Sequence, residues 1–143
     1  MKGKVLMAVL ALVCTSCATA GSGFDGQWVY RQECGFGHIA NLELQQKGNV
    51  INGAWGDGTR VRGESGLLKG FVDGRRARFW LCSESSDDAG HTCPNFGREE
   101  AYLERVGDTL VWYRGTSVYI TLHPGGAGRT VPIDDSDCVL EDE

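Results

Sequence analysis

The stretch Asn41–Trp55, which reads NLELQQKGNVINGAW, decides the fold of this chain. Leu42 and Leu44 alternate with polar residues, and this period of two predicts a half-buried β-strand. The alternation resumes at Ile51 after a Lys-Gly-Asn turn, whose glycine and asparagine tolerate positive φ. The stretch therefore predicts a β-hairpin with one apolar face. Because an isolated hairpin is only marginally stable in water, further strands must cover that face.

The first 20 residues have the organisation of a secretory signal peptide. Lys2 and Lys4 precede an apolar run over residues 5–13, and an A-x-A cleavage site follows at residues 18–20. The run is too short to span a bilayer. We expect cleavage after residue 20 and a periplasmic or secreted protein. The alternative is an outer-membrane lipoprotein anchored at Cys17, which would be its one contact with a membrane.

The charge of the chain is acidic. Removing 20 of the 143 residues leaves 123, enough for one domain, and the loss of two lysines changes the formal net charge from −5 to −7. An acidic surface argues against nucleic acid and anionic membrane surfaces and is compatible with cationic partners; ordinary solubility charge is the alternative explanation. We expect a barrel domain over residues 21–124 and a Gly-rich linker with an acidic tail over 125–143. Six acids lie in the last ten residues: Asp134, Asp135, Asp137, Glu141, Asp142 and Glu143.

Four cysteines remain after processing: Cys34, Cys82, Cys93 and Cys138. An even number in an exported chain predicts two disulfides, for which three connectivities exist. Because Cys82 and Cys93 flank one polar loop, we predict that pair. The remaining pair, Cys34 with Cys138, would tether the tail. Export disfavours a metal site at this loop, and we expect neither metal nor cofactor.

Short alternating segments separated by glycine-containing turns continue to residue 124 and predict eight strands. A sheet with one apolar face hides that face and its edges by closing on itself. We therefore predict an all-β, eight-stranded antiparallel up-and-down barrel, with a flattened two-sheet sandwich as the alternative. Strands of about five or six residues enclose little volume, so a filled interior is expected. The predicted core residues are Trp28, Leu42, Leu44, Ile51, Trp55, Phe79, Leu81, Leu103, Trp112 and Ile120.

Two motifs resemble those of known small barrels. Gly26-Gln27-Trp28 resembles the G-x-W signature of lipocalins and related calycin barrels. The hairpin over residues 42–53 is similar to the second and third strands of avidin-like and small bacterial lipocalin-like barrels. The resemblance implies that Trp28 packs across the closed end of the barrel, and that a small apolar or aromatic molecule is an alternative ligand. In size, export and disulfide use the chain is also similar to bacterial periplasmic lysozyme inhibitors.

The fifth predicted strand carries a candidate protein-binding surface. Alternation places Arg76, Arg78 and Trp80 on its outward face, with Arg75 beside them. Tryptophan beside arginines on an exposed strand is a composition typical of binding hot spots. The alternative is that Trp80 packs beneath the tail or the long loop while the arginines are solvated.

Catalytic signatures are missing from the sequence. His38, His91 and His123 have no metal-ligand spacing, and each is expected at the surface or in a turn. The segment 63–66 begins like a nucleophile elbow, but Leu67 stands where that motif requires glycine. We therefore expect that the protein is not an enzyme.

These observations favour an inhibitor or immunity-type module that binds a basic hydrolase, such as a lysozyme, in the periplasm or envelope. Loops on a rigid barrel are suited to recognition, and acidic charge accelerates association with a basic enzyme. The acids Asp134, Asp135 and Asp137 are candidates for that contact. The alternatives are a lipocalin- or avidin-like carrier of a small molecule and a structural envelope protein.

Overall fold

The computed structural model describes residues 23–85, 91–97, 99–136 and 138. Eight strands form a closed barrel in which each strand is hydrogen-bonded to its neighbours in sequence, and β8 returns to β1. All the pairings are antiparallel, so the predicted up-and-down barrel is confirmed and the sandwich alternative is wrong. The strands are β1 Gly26–Gln32, β2 His38–Lys47, β3 Val50–Gly58, β4 Gly63–Asp73, β5 Arg76–Ser83, β6 Glu99–Val106, β7 Thr109–Arg114 and β8 Ser117–Pro124.

The two ends of the barrel differ in how the strands are connected. Two-residue turns follow β2, β4 and β6 at one end, and their glycines, Gly48, Gly74 and Gly107, have φ of 60°, 60° and 61°. L-residues with a Cβ rarely adopt this conformation, which explains the glycines. We call this end the closed end. The connections after β1, β3, β5 and β7 lie at the other end, which we call the open end. In the part of the chain described here, no helix is long and apolar enough to cross a bilayer.

Side chains fill the interior of the barrel. All the predicted core residues are buried except Leu81, which is half-buried against the core. Phe79 and Trp112 meet edge to face at its centre, with ring centroids 5.5 Å apart. The strands are longer than the sequence suggested, up to 11 residues in β4, yet the large side chains still occupy the space. Further buried residues are Phe24, Tyr30, Ala40, Leu68, Ala77, Leu110 and Leu122.

Phe24 closes the barrel below the start of β1. Its side chain is fully buried, its backbone N–H donates to Gln46 Oε1 at 2.8 Å, and its carbonyl accepts the Trp28 Nε1–H at 2.9 Å. Trp28 therefore packs across the closed end, as expected from its G-x-W motif. Phe24 was not predicted because it precedes the first strand.

Two glycines permit close approach of neighbouring strands. A Cβ at Gly53 would lie 1.9 Å from the carbonyl oxygen of Glu43, and one at Gly70 would lie 2.3 Å from that of Arg78. Backbone cannot move away from such a contact without breaking the ladder. Glycine is therefore required at these two positions, where the backbones of neighbouring strands approach closely.

Both predicted disulfides, Cys82–Cys93 and Cys34–Cys138, are confirmed. Disulfides are typical of proteins that fold in an oxidising, extracytoplasmic compartment. The predicted signal peptide, with its alternative anchor Cys17, lies outside the described residues.

The tail follows β1 from the closed end to the open end. The N–H of Gly125 donates to the Gln27 carbonyl and that of Asp134 to the Arg31 carbonyl, both at 2.8 Å, before Cys138 bonds to Cys34. The pairing of β1 with β8 is short, spanning only residues 28–29 of β1. The tail thus covers part of the edge of β1 that β8 does not pair with.

Candidate functional site

One row of side chains crosses the outside of the barrel from β4 to β7. The register places Phe71 opposite Arg78, Arg78 opposite Tyr102, and Tyr102 opposite Tyr113. Phe71 is 52% exposed, although it is a large apolar side chain. We use the name outer face for the row together with its neighbours on β5, namely Phe71, Arg76, Arg78, Trp80, Tyr102 and Tyr113.

The rings of the outer face pack against one another and against arginine. Tyr102 and Tyr113 are stacked, with centroids 4.4 Å apart and planes 17° apart, and the Arg76 guanidinium lies 4.7 Å from the Tyr102 centroid. Phe71 meets Trp80 edge to face at 6.0 Å. Neighbouring side chains therefore cover part of the Tyr102, Tyr113 and Trp80 rings, and the side chains of Arg76 and Arg78 are exposed beside them.

The arginines of the outer face pair with carboxylates of β6. Arg76 Nε donates to Glu104 Oε2 at 2.9 Å and Arg78 Nε lies 3.1 Å from Glu99 Oε1, while Arg75 lies 4.0 Å from Glu104. The hydrogen bond to Glu104, and its charge, raise the pKa of Arg76. The side chains of Arg76 and Arg78 are nevertheless exposed, so their guanidinium groups can donate to an acceptor on a partner.

The structure brings together those predicted protein-binding residues that lie on or beside β5. Arg76, Arg78 and Trp80 share the outward face of β5, and Arg75 lies in the turn that precedes it. Trp80 is half-buried and contacts Phe71 and Arg78. The aromatic residues of β4, β6 and β7 were not predicted, because the register that brings them together depends on the pairing of separate strands.

The tail acids lie on another side of the barrel. Asp134 is hydrogen-bonded to β1, which is four strands away from β5 in the closed order. The Ser136 Oγ–H and N–H donate to Asp134 Oδ1 at 2.6 and 3.0 Å, and these bonds lower the pKa of Asp134. Asp135 is exposed next to it, whereas Asp137 lies outside the described residues.

A polar cluster lies in the open end. His38 begins β2 on the same face as the buried Ala40, and Asp57 lies near the end of β3 on the same face as the buried Trp55. Alternation therefore turns both polar side chains inward. Their exposed fractions are only 19% for His38 and 12% for Asp57. The expectation that His38 lies at the surface is wrong, whereas His91 is exposed.

Asp57 is the centre of this cluster. Its Oδ1 lies 2.5 Å from His38 Nε2, its Oδ2 accepts the Tyr119 hydroxyl at 2.5 Å, and Arg114 Nη2 lies 3.5 Å from the same oxygen. The Tyr30 ring packs against His38 with centroids 5.0 Å apart. Charge-assisted hydrogen bonds of this kind hold a carboxylate in one orientation.

Tyr119 reaches the cluster through an irregularity in the sheet. Trp112 pairs with Ile120 but Tyr113 pairs with Val118, so Tyr119 is an extra residue in β8. Such a bulge redirects side chains. The Tyr119 ring accordingly packs against the Trp112 ring at 5.4 Å. Burial and the hydrogen bond to Asp57 raise the pKa of Tyr119 well above its usual range.

No group of three or more histidine, cysteine, aspartate or glutamate side chains in the described part of the chain is placed to hold a metal ion. The open-end cluster instead combines one carboxylate, one imidazole, one guanidinium and three aromatic rings.

Comparison with known protein families, curated proteins and solved structures finds no match to this chain. The closed eight-stranded antiparallel barrel is consistent with a calycin-type barrel, and the likeness is one of fold.

Proposed function

We propose that this protein is an exported protein-binding module of the bacterial periplasm or envelope, which inhibits a hydrolase such as a lysozyme. The observation that carries the proposal is the outer face. Its half-buried rings, with the exposed Phe71, Arg76 and Arg78, have the composition that dominates binding energy at protein interfaces. The barrel beneath it is closed and held by two disulfides, so little order has to be gained on binding.

The arrangement of the rings favours a protein partner over a polysaccharide. Sugars bind by stacking on exposed ring faces, whereas here Tyr102 and Tyr113 stack on each other and Arg76 covers Tyr102. Ring edges and guanidinium groups are suited to the carbonyls, carboxylates and apolar side chains of a protein surface.

The charge distribution favours a basic hydrolase with acidic groups in its cleft. The net charge of −5, or −7 after processing, would attract a basic enzyme at long range. The exposed guanidinium groups of Arg76 and Arg78 would donate to carboxylates at short range. Most glycoside hydrolases flank the scissile bond with two carboxylates, so a basic glycosidase offers both features.

The filled interior argues against a lipocalin-like carrier. The side chains of Phe79, Leu103 and Trp112 are fully buried at the centre of the barrel, where such a carrier holds its ligand. Binding at the outer surface needs no rearrangement of this core. Because binding at the outer surface requires no reacting group, we propose that the protein acts by binding and not by catalysis.

The test is a binding measurement with the oxidised, processed protein immobilised on a sensor. The analytes are basic envelope glycosidases including lysozymes, an acidic hydrolase of similar size as a control, and soluble peptidoglycan fragments. We expect saturable, stoichiometric binding of at least one basic glycosidase and loss of its activity. Binding of peptidoglycan alone, or of no hydrolase, would contradict the proposal.

A further inference from the structure

We infer that the open end of the barrel is a binding site for a guanidinium or ammonium group, and that Arg114 occupies this site within the same chain. The inference concerns the inward cluster at Asp57 and does not depend on the proposed function of the outer face.

The walls of the site are an acid and aromatic rings. The Arg114 Cζ lies 3.7 Å from the Tyr119 ring centroid and 5.4 Å from that of Trp112, and its Nη2 faces Asp57 at 3.5 Å. A cation over ring faces with a carboxylate beside it is the arrangement by which proteins bind ammonium and guanidinium groups.

The walls are fixed independently of the arginine. The Asp57 carboxylate is held by His38 and by the Tyr119 hydroxyl, each at 2.5 Å. Trp112 is fully buried and packs edge to face on Phe79 and Tyr119. The site would therefore keep its shape if the arginine left it.

Arg114 is held less firmly than the walls. Its side chain is 44% exposed, whereas that of Asp57 is 12% exposed, and their 3.5 Å separation is longer than a good charge-assisted hydrogen bond. Arg114 is also the last residue of β7, followed by Gly115 in a tight turn. A partly exposed side chain at the end of a strand can leave its ring contacts by changing rotamer, without any movement of the strand.

Charge decides which ligand would replace it. Withdrawal of Arg114 leaves Asp57 as a mostly buried carboxylate without a permanent cation, which is costly. An anion would increase that cost and a neutral ligand would not relieve it. The other groups that face Asp57 are the Tyr119 hydroxyl, which carries no positive charge, and the His38 imidazole, which would compensate the charge only if protonated. A guanidinium or ammonium group is therefore the ligand chemistry that fits.

The test uses methylguanidinium as the probe and methylurea, which has nearly the same shape without the charge, as its control. The readout is the indole N–H resonance of Trp112, whose ring centroid lies 5.4 Å from the Arg114 Cζ. The indole N–H groups of Trp28 and Trp55, bonded to the carbonyls of Phe24 and Cys82, serve as internal references.

We expect Arg114→Ala to bind methylguanidinium about tenfold or more tightly than the parent protein, because the competing side chain is gone. Arg129→Ala, which removes an exposed arginine from the tail, should bind as the parent does. Methylurea should leave the Trp112 resonance unchanged. Equal affinity in the parent and in Arg114→Ala, or an equal response to methylurea, would overturn the inference.

A second variant tests the inference in case Arg114→Ala does not fold. Arg114→Met keeps most of the side-chain volume and should also bind methylguanidinium more tightly than the parent protein does. Adding Asp57→Asn to either variant should abolish the gain in affinity for methylguanidinium, and retention of that gain would overturn the role of the carboxylate.

A pentapeptide with a central arginine distinguishes the two natural sources of a guanidinium group, a protein side chain and a free small cation. If it binds as methylguanidinium does, the site admits a protein side chain; if only methylguanidinium binds, the ligand is a free small cation.

Discussion

The guanidinium of Arg105 lies 4.7 Å from the ring centroid of Trp28. Arg105 belongs to β6 and Trp28 to β1, so this contact joins strands that are not neighbours in the sheet. With Phe24 beneath them, the two residues seal the closed end. A cation placed over an indole contributes more when the pair is shielded from water, and Trp28 is 4% exposed.

The first prediction concerns the two tryptophans at Trp28 and Trp80. Trp28→Ala should lower the free energy of unfolding by about 3–5 kcal/mol, because it leaves a cavity at the closed end. Trp80→Ala should cost on the order of 1 kcal/mol, because Trp80 is half-buried on the outer face. Urea unfolding followed by far-UV circular dichroism gives both values. Equal losses would mean that the closed end is not sealed by Trp28.

The second prediction ranks the disulfides. Cys34–Cys138 joins residues separated by 104 positions and Cys82–Cys93 residues separated by 11. In the loop-entropy account, these bridges are worth about 4.7 and about 3 kcal/mol respectively. Replacing both cysteines of a pair by alanine should therefore cost more for Cys34 and Cys138. Urea unfolding of the two double variants measures both losses in unfolding free energy. The reverse ranking would contradict the larger stabilisation expected from the Cys34–Cys138 bridge to the tail.

The third prediction concerns acid pH and Asp134. Hydrogen bonds from Ser136 lower the folded-state pKa of Asp134, so its stabilising effect is present above its unfolded value of about 3.9 and is lost as pH falls through the folded value. Asp134→Asn should therefore be less stable than the parent near pH 6. The difference should shrink progressively below about pH 4. Ser136→Ala should give the same trend, and a difference that is constant from pH 6 to pH 2 would contradict it.

The fourth prediction concerns salt. If acidic charge steers the protein to a basic glycosidase, the association rate should fall as ionic strength rises, because screening acts over about 8 Å at physiological salt. Changing Asp135 and Asp137 to asparagine keeps Cys138 and should slow association while leaving the dissociation rate nearly unchanged. Stopped-flow or biosensor kinetics at low and physiological salt provide the measurement. An unchanged association rate would remove the tail from the mechanism and leave the outer face in place.

The sequence predicted the barrel because a single apolar face imposes a period of two on every strand, as in Leu42 and Leu44. The same rule failed for Tyr119, which a bulge directs toward Trp112 and Asp57. A bulge depends on the pairing of β7 with β8, and no local pattern in β8 reveals it.

The candidate site was predicted only in part for a related reason. Arg76, Arg78 and Trp80 lie on one strand, so alternation alone places them together. Tyr102 and Tyr113 join them through the register of three strands, and that information is not contained in any one segment. The disulfides were predictable because loop proximity and an even cysteine number restrict the choices.

The most direct test of the central claim, that the outer face is the binding surface, compares two arginine variants against the captured hydrolase. Arg78→Ala removes a guanidinium from the middle of the outer face, and Arg129→Ala removes one from the tail. If the outer face is the binding surface, the dissociation constant should rise by roughly 30-fold for Arg78→Ala, as at a hot spot, and change by less than about twofold for Arg129→Ala. An unchanged dissociation constant for Arg78→Ala, or an equal loss in both variants, would contradict it.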